Sequence, residues 1–140
     1  MTKEVLVTVN GMQFEIDSRE SIEVISRGQY FLKNGKHYVI YEEMDAEEPT
    51  KVTRSTIKIS PMQVDMIKKG SNSVHMVFAK GQNNLAYYET PFGQMMMGIN
   101  TKEIEVNESE EEIAVKLKYG LDVNYAHMSD CEVSIQVRPA

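Results

Sequence analysis

Along residues 113–123 every second side chain is large and apolar: Ile113, Val115, Leu117, Tyr119, Leu121 and Val123. Between them lie Ala114, Lys116, Lys118, Gly120 and Asp122. A period of two marks a β-strand with one buried face. Burying each large side chain contributes roughly 1.5–3 kcal/mol. A slip of one residue would expose the whole set, at a cost on the order of 10 kcal/mol, so the inward face is firmly specified. The stretch is about twice the usual strand length. That length suits a tilted, coiled barrel wall, and Gly120 is placed to supply a bend.

Turn signals divide the rest of the chain into similar segments. Asn10-Gly11 lies between Glu4–Val9 and Met12–Asp17. Asn-Gly suits a two-residue hairpin turn, because both turn residues need positive φ. The sequence therefore predicts Val9 opposite Met12, Val7 opposite Phe14 and Val5 opposite Ile16. Asn34-Gly35 repeats the device, pairing Phe31 with Tyr38 and Tyr30 with Val39, with Gly28 at a bulge in the incoming strand. Further strands are predicted over Lys51–Ser60, Met62–Lys69, Ser73–Lys80, Leu85–Thr90, Gln94–Thr101, Glu103–Asn107 and Cys131–Arg138. Ser60-Pro61-Met62 also fits a helix start, but Lys68-Lys69-Gly70 closes a further hairpin, so a strand is preferred. Glu42 to Thr50 reads as a loop closed by Pro49. The connections are too short for crossover helices, so neighbours pair antiparallel. A sheet of about 8–10 strands must hide its edges. The run of local hairpins points to an all-β, mostly up-and-down antiparallel barrel.

The chain of 140 residues is expected to form one domain over 1–140, large enough to need no staple. Its single cysteine, Cys131, can form no internal disulfide, which fits a reducing compartment. The first residues lack the pattern of a secretory signal, and no apolar run approaches the ~18–20 residues of a spanning helix. A cytoplasmic protein with no membrane partner is expected. The formal net charge is −6 and the basic residues form no patch, which disfavours nucleic acid.

No residue pattern carries chemistry on its own. His37, His75 and His127 have no metal-ligand spacing and read as ordinary surface or half-buried histidines. Cys131 lacks a neighbouring base in sequence and reads as a small strand residue. The acidic runs Glu42 to Glu48 and Glu108 to Glu112 lack the alternating ligands and central glycine of a calcium loop, and read as solvated. No metal or other cofactor is predicted. An enzyme would need polar groups converging inside the barrel, with Lys58, His75 and Tyr41 as candidates. Ile57 and Ile59 take the core phase, so Lys58 is predicted to point outward, and His75 likewise. Tyr41, Tyr88, Phe92 and Tyr119 are the predicted lining of a small-molecule pocket. Met95-Met96-Met97 puts apolar groups on both faces of one strand, which predicts a double burial or an interface, such as a homodimer.

Four stretches resemble a known family. They are Tyr38-Val39-Ile40-Tyr41-Glu42-Glu43, Thr56-Ile57-Lys58-Ile59, Tyr88-Glu89-Thr90-Pro91-Phe92-Gly93 with Gly98-Ile99-Asn100-Thr101, and Tyr119-Gly120-Leu121-Asp122. Together they are similar to the uncharacterised YwiB-like proteins of Gram-positive bacteria. The resemblance implies a calycin-like β-barrel and supplies no catalytic residue. The wider calycin group includes lipocalins, which hold small apolar molecules. This chain has no tryptophan and so lacks the lipocalin Gly-x-Trp signature. Two functions follow as expectations: a barrel that binds a small apolar ligand, or a solid barrel acting as an interaction or scaffold protein.

Overall fold

The alternating segments pair with their sequence neighbours almost all the way round a barrel. The computed structural model describes residues 3–11, 23–44, 50–70, 73–91 and 93–140. They form β1 (Glu4–Asn10), β2 (Glu23–Lys33), β3 (Lys36–Met44), β4 (Val52–Ile59), β5 (Gln63–Lys69), β6 (Val74–Ala79), β7 (Asn83–Thr90), β8 (Gly93–Glu108), β9 (Ile113–Val123) and β10 (Ala126–Pro139). The order in the sheet is β6-β5-β4-β3-β2-β1-β10-β9-β8-β7. All paired neighbours are antiparallel, and only β1 with β10 joins strands distant in sequence. At the two ends of this order, β6 and β7 meet, among the described residues, through one bridge, Ser73 with Glu89. The expected up-and-down antiparallel barrel is thus what forms, nearly closed, with ten strands and no helix among the described residues.

Alternation decides what fills it. Phe78, Ile57, Ile59, Met66, Met76, Ile99, Leu117 and Ile135 are fully buried and occupy the middle of the barrel. Phe78 meets Tyr119 edge-on, with ring centroids 4.9 Å apart, the geometry that aromatic quadrupoles favour. The six alternating residues of β9 all take the inward phase, as predicted, although Val123 at the strand end is only half-buried. The outer wall is charged: Lys116 pairs with Glu132 at 3.1 Å and Lys118 with Glu103 at 3.5 Å. That polarity is the reverse of a membrane barrel, whose outer face is apolar. No helix among the described residues is long and apolar enough to cross a membrane.

The second hairpin forms as predicted. Phe31 faces Tyr38 and Tyr30 faces Val39, and Asn34 and Gly35 take φ of 54° and 73°. The first does not. Both edges of β1 are already taken, so Val9 lies opposite Val24 of β2 and Ile135 of β10. Gly11 does adopt positive φ, but its role is close approach, because a Cβ there would sit 2.3 Å from the Glu132 carbonyl oxygen. The predicted partner strand Met12–Asp17 lies outside the described residues. Gly28 is no bulge: it sits in an unbroken ladder opposite Val5, forms the last pair of the β2–β3 ladder opposite Tyr41, and serves to let the backbone of Ile40 come near. The strands predicted over Gln94–Thr101 and Glu103–Asn107 are one strand, β8, with the bulge at Lys102. The last strand starts earlier than predicted, at Ala126, with a second bulge at Met128. Gln63–Lys69 is a strand and not a helix. Glu42, Glu43 and Met44 extend β3 into the predicted loop, and residues 45–49 lie outside the described set.

Candidate functional site

The upper end of the barrel is the end where β1, β3, β5, β7 and β9 finish. Near it, strand register gathers one ring of inward-facing residues. Tyr41 lies opposite Ser55, Ser55 opposite Lys68, and Lys68 opposite Val74. Val74 and Tyr88 flank the Ser73–Glu89 bridge, and Tyr88 lies opposite Met95. Six adjacent strands therefore supply Tyr41, Ser55, Lys68, Val74, Tyr88 and Met95. Two residues beyond Tyr41, Glu43 points the same way. Its carboxylate accepts a hydrogen bond from the Lys68 ammonium at 3.4 Å, with the two side chains 27% and 17% exposed.

At this ring the oily core gives way to polar groups. Burial pushes the Tyr41 hydroxyl well above the ordinary tyrosine range, and the Glu43 charge adds to the effect. Tyr41 thus keeps its proton and is placed to donate a hydrogen bond. Ser55 Oγ lies beside it, fully buried, yet closes no hydrogen bond of ordinary length. A buried hydroxyl left unpaired costs about 1–3 kcal/mol. Tyr88 and Met95 are half-buried against the core edge.

The other predicted site residues divide. Tyr119 belongs to the core, opposite Thr101 and Cys131 and against Phe78. Its hydroxyl is also held well above the ordinary range, by burial first and then by Cys131. Cys131 Sγ in turn meets Ser129 Oγ at 3.3 Å. Phe92 lies outside the described residues. Met97 is buried and Met95 faces inward, so Met96 is the methionine of the run on the outer face, opposite Tyr87. Lys58 points outward over the Tyr38 ring, and His75 points outward to Asp65 at 3.0 Å.

Sequence reasoning missed a constellation at the lower end. Tyr30 Oη meets His37 Nδ1 at 2.6 Å, and His37 Nε2 meets Glu108 Oε2 at 2.7 Å. A neutral imidazole with its proton on Nε2 satisfies both contacts, accepting from Tyr30 and donating to Glu108. The order hydroxyl–imidazole–carboxylate is that of an activated nucleophile. The electrostatics oppose that use, since burial and the Glu108 charge both raise the Tyr30 pKa. The three side chains instead tie β2 and β3 to β8 across the lower mouth. Glu108, read from sequence as part of a solvated run, is half-exposed and engaged.

The wall carries further polar features. A cleft of about 550 Å³ lies where β1, β2 and β3 pass Gly28, lined by Glu4, Arg27, Gln29, Ile40, Glu42 and Arg54. On the outside, His127 lies between Asp122 at 3.2 Å and Asp130 at 3.7 Å. No cluster of three or more His, Cys, Asp or Glu side chains that could hold a metal ion occurs among the described residues.

Comparison with known proteins agrees with this fold. The family model DUF1934, a domain of unknown function, matches residues 7–135. The chain is 26% identical over 106 residues to the "Uncharacterized beta-barrel protein YwiB" of Bacillus subtilis (strain 168), covering 76% of this chain and 72% of that protein. It superposes on the crystal structure of the ywiB protein from Bacillus subtilis with a TM-score of 0.76 at 22% identity, covering 98% of this chain and 90% of that one. The likeness in structure speaks for the fold.

Proposed function

The chain belongs to the DUF1934 family, and from that premise we propose that it is a cytosolic, calycin-like binding barrel holding a small, largely apolar molecule at its upper rim. The observation that carries this reading is the ring from Tyr41 to Met95. The ring offers apolar contact from Tyr88, Val74 and Met95. Beside these stand a half-buried Glu43–Lys68 pair and the buried Ser55 hydroxyl, next to Tyr41, to fix one polar end. Pockets of this kind are mostly apolar with a few placed polar groups. The core residues below, Phe78, Met66 and Met76 among them, are fully buried, which favours the rim over the centre as the place of the molecule. The single free, half-buried cysteine suits a reducing compartment.

The test is native mass spectrometry of protein purified from its own host, followed by titration with dodecanol and dodecanoate. Tyr88→Ala, and the double variant Glu43→Gln with Lys68→Met, should each weaken binding by about tenfold or more. Bare protein mass, and no thermal shift with either probe, would overturn the reading.

A second reading rests on the outer face of β7 and β8. Leu85 is 60% and Tyr87 52% exposed, and Tyr87 stands opposite outward-facing Met96. Such a patch suits a partner, including a second copy of this chain. Sedimentation should then show a dimer that Met96→Lys converts to monomer. A monomer in both cases removes this reading.

A further inference from the structure

We propose that the seam between β6 and β7 is a side gate in the barrel wall, opening ahead of every other strand pair. Nine strand pairs carry ladders of at least six residue pairs, interrupted only by the bulges at Met128 and Lys102. The tenth contact has, among the described residues, one bridge at its upper end. There Ser73 N–H donates to Glu89 O at 3.0 Å and Glu89 N–H donates to Ser73 O at 2.8 Å. Midway, the contact between the strands is a long one, from the Asn84 side-chain amide to Val77 O at 3.5 Å. The lower end is pinned. Gln82 N–H donates to Ala79 O at 3.0 Å, Gly81 N–H to Thr101 O at 3.0 Å, and Thr101 N–H to Gln82 O at 3.1 Å.

This is the arrangement of a flap hinged below and clasped above. Opening the clasp breaks two backbone hydrogen bonds, whereas parting β8 from β9 breaks a ladder that extends from Met97 to Glu108. Local opening follows the cheapest set of bonds. A cleft of about 350 Å³ lies over the clasp, lined by Lys69, Ser73, His75, Tyr87 and Glu89. Behind the clasp stand Val74 and Tyr88, both members of the inward ring. The gate therefore leads from the outer cleft to the rim site, and its use by a ligand rests on the rim-binding reading above.

Amide hydrogen exchange tests the gate without any ligand. The amides of residues 73 and 89, which close the clasp, should exchange at least about a hundredfold faster than the laddered amides of β9 and β10. Ser73→Cys with Glu89→Cys should form a disulfide when oxidised, because facing bridge residues have the required Cα spacing. Oxidation should abolish the fast exchange and reduction restore it. Uniform protection across all strands, or fast exchange that persists in the oxidised variant, would overturn the proposal. A second arm uses dansyl-undecanoic acid as probe. Association should be about tenfold slower with the oxidised than with the reduced variant. Equal association rates would show that entry lies elsewhere and overturn the gate. If the probe fails to bind while exchange behaves as stated, the rim-binding reading falls and the seam stands as the opening point of the wall.

Discussion

Three tyrosines sit in the interior phase with raised pKa values: Tyr30, Tyr41 and Tyr119. Burial is the largest cause for each, so the neutral phenol is what the folded barrel holds. The sign of the pH effect follows. A group that keeps its proton longer when folded contributes stability in full below its unfolded pKa, near 10. That contribution is lost as pH rises above it. Tyr41 and Tyr119, the deeply buried pair, should together give a slope of about 3 kcal/mol per pH unit above pH ~10. Denaturant unfolding across that range measures it, and Tyr119→Phe should remove about half of the slope. A flat profile would mean that neither phenol is buried as described.

At the scale of the strand, phase is the controlling variable. Lys102 bulges from β8 between Thr101 and Glu103, and the inward set passes from Ile99 and Thr101 to Ile104 and Val106. Deleting Lys102 leaves that inward set intact and should cost about 2 kcal/mol or less. Deleting Lys118 from the unbroken β9 turns Tyr119, Leu121 and Val123, or Ile113, Val115 and Leu117, to the outside. That costs about 5 kcal/mol or more, enough to unfold a typical domain. Thermal melts of the two deletion variants separate these outcomes. The same phase rule marks the polar residues that matter. His37, Tyr41 and Glu43 share the phase of Val39. Lys68 follows Val64 and Met66, Ser55 precedes Ile57, and Glu108 follows Ile104 and Val106. Each is a polar side chain at a position the alternation reserves for the core. That signal was legible in the sequence, and reading Glu108 by its acidic neighbours instead of its phase concealed it.

For the whole molecule, local and distant information part company. The Asn34-Gly35 hairpin was legible because its backbone geometry is set within a few residues. Asn10-Gly11 was not, because β10 claims one edge of β1 and Glu132 lies against Gly11. The architecture, the inward face of β9 and the outward placement of Lys58 and His75 followed from period and hairpin order alone. Which inward residues share a ring did not. Tyr41 and Tyr88 fall on one register row while Tyr119 lies in the core, since that depends on the register of every intervening pair.

Methionine methyl NMR tests the rim directly, because Met95 faces the ring, Met96 the outer wall, and Met66 and Met76 the filled core. Titration with dodecanoate should shift the Met95 methyl and leave those of Met66, Met76 and Met96 in place. Movement of Met66 or Met76 without Met95 would place the ligand in the barrel centre, and an unmoved Met95 would contradict a rim site altogether.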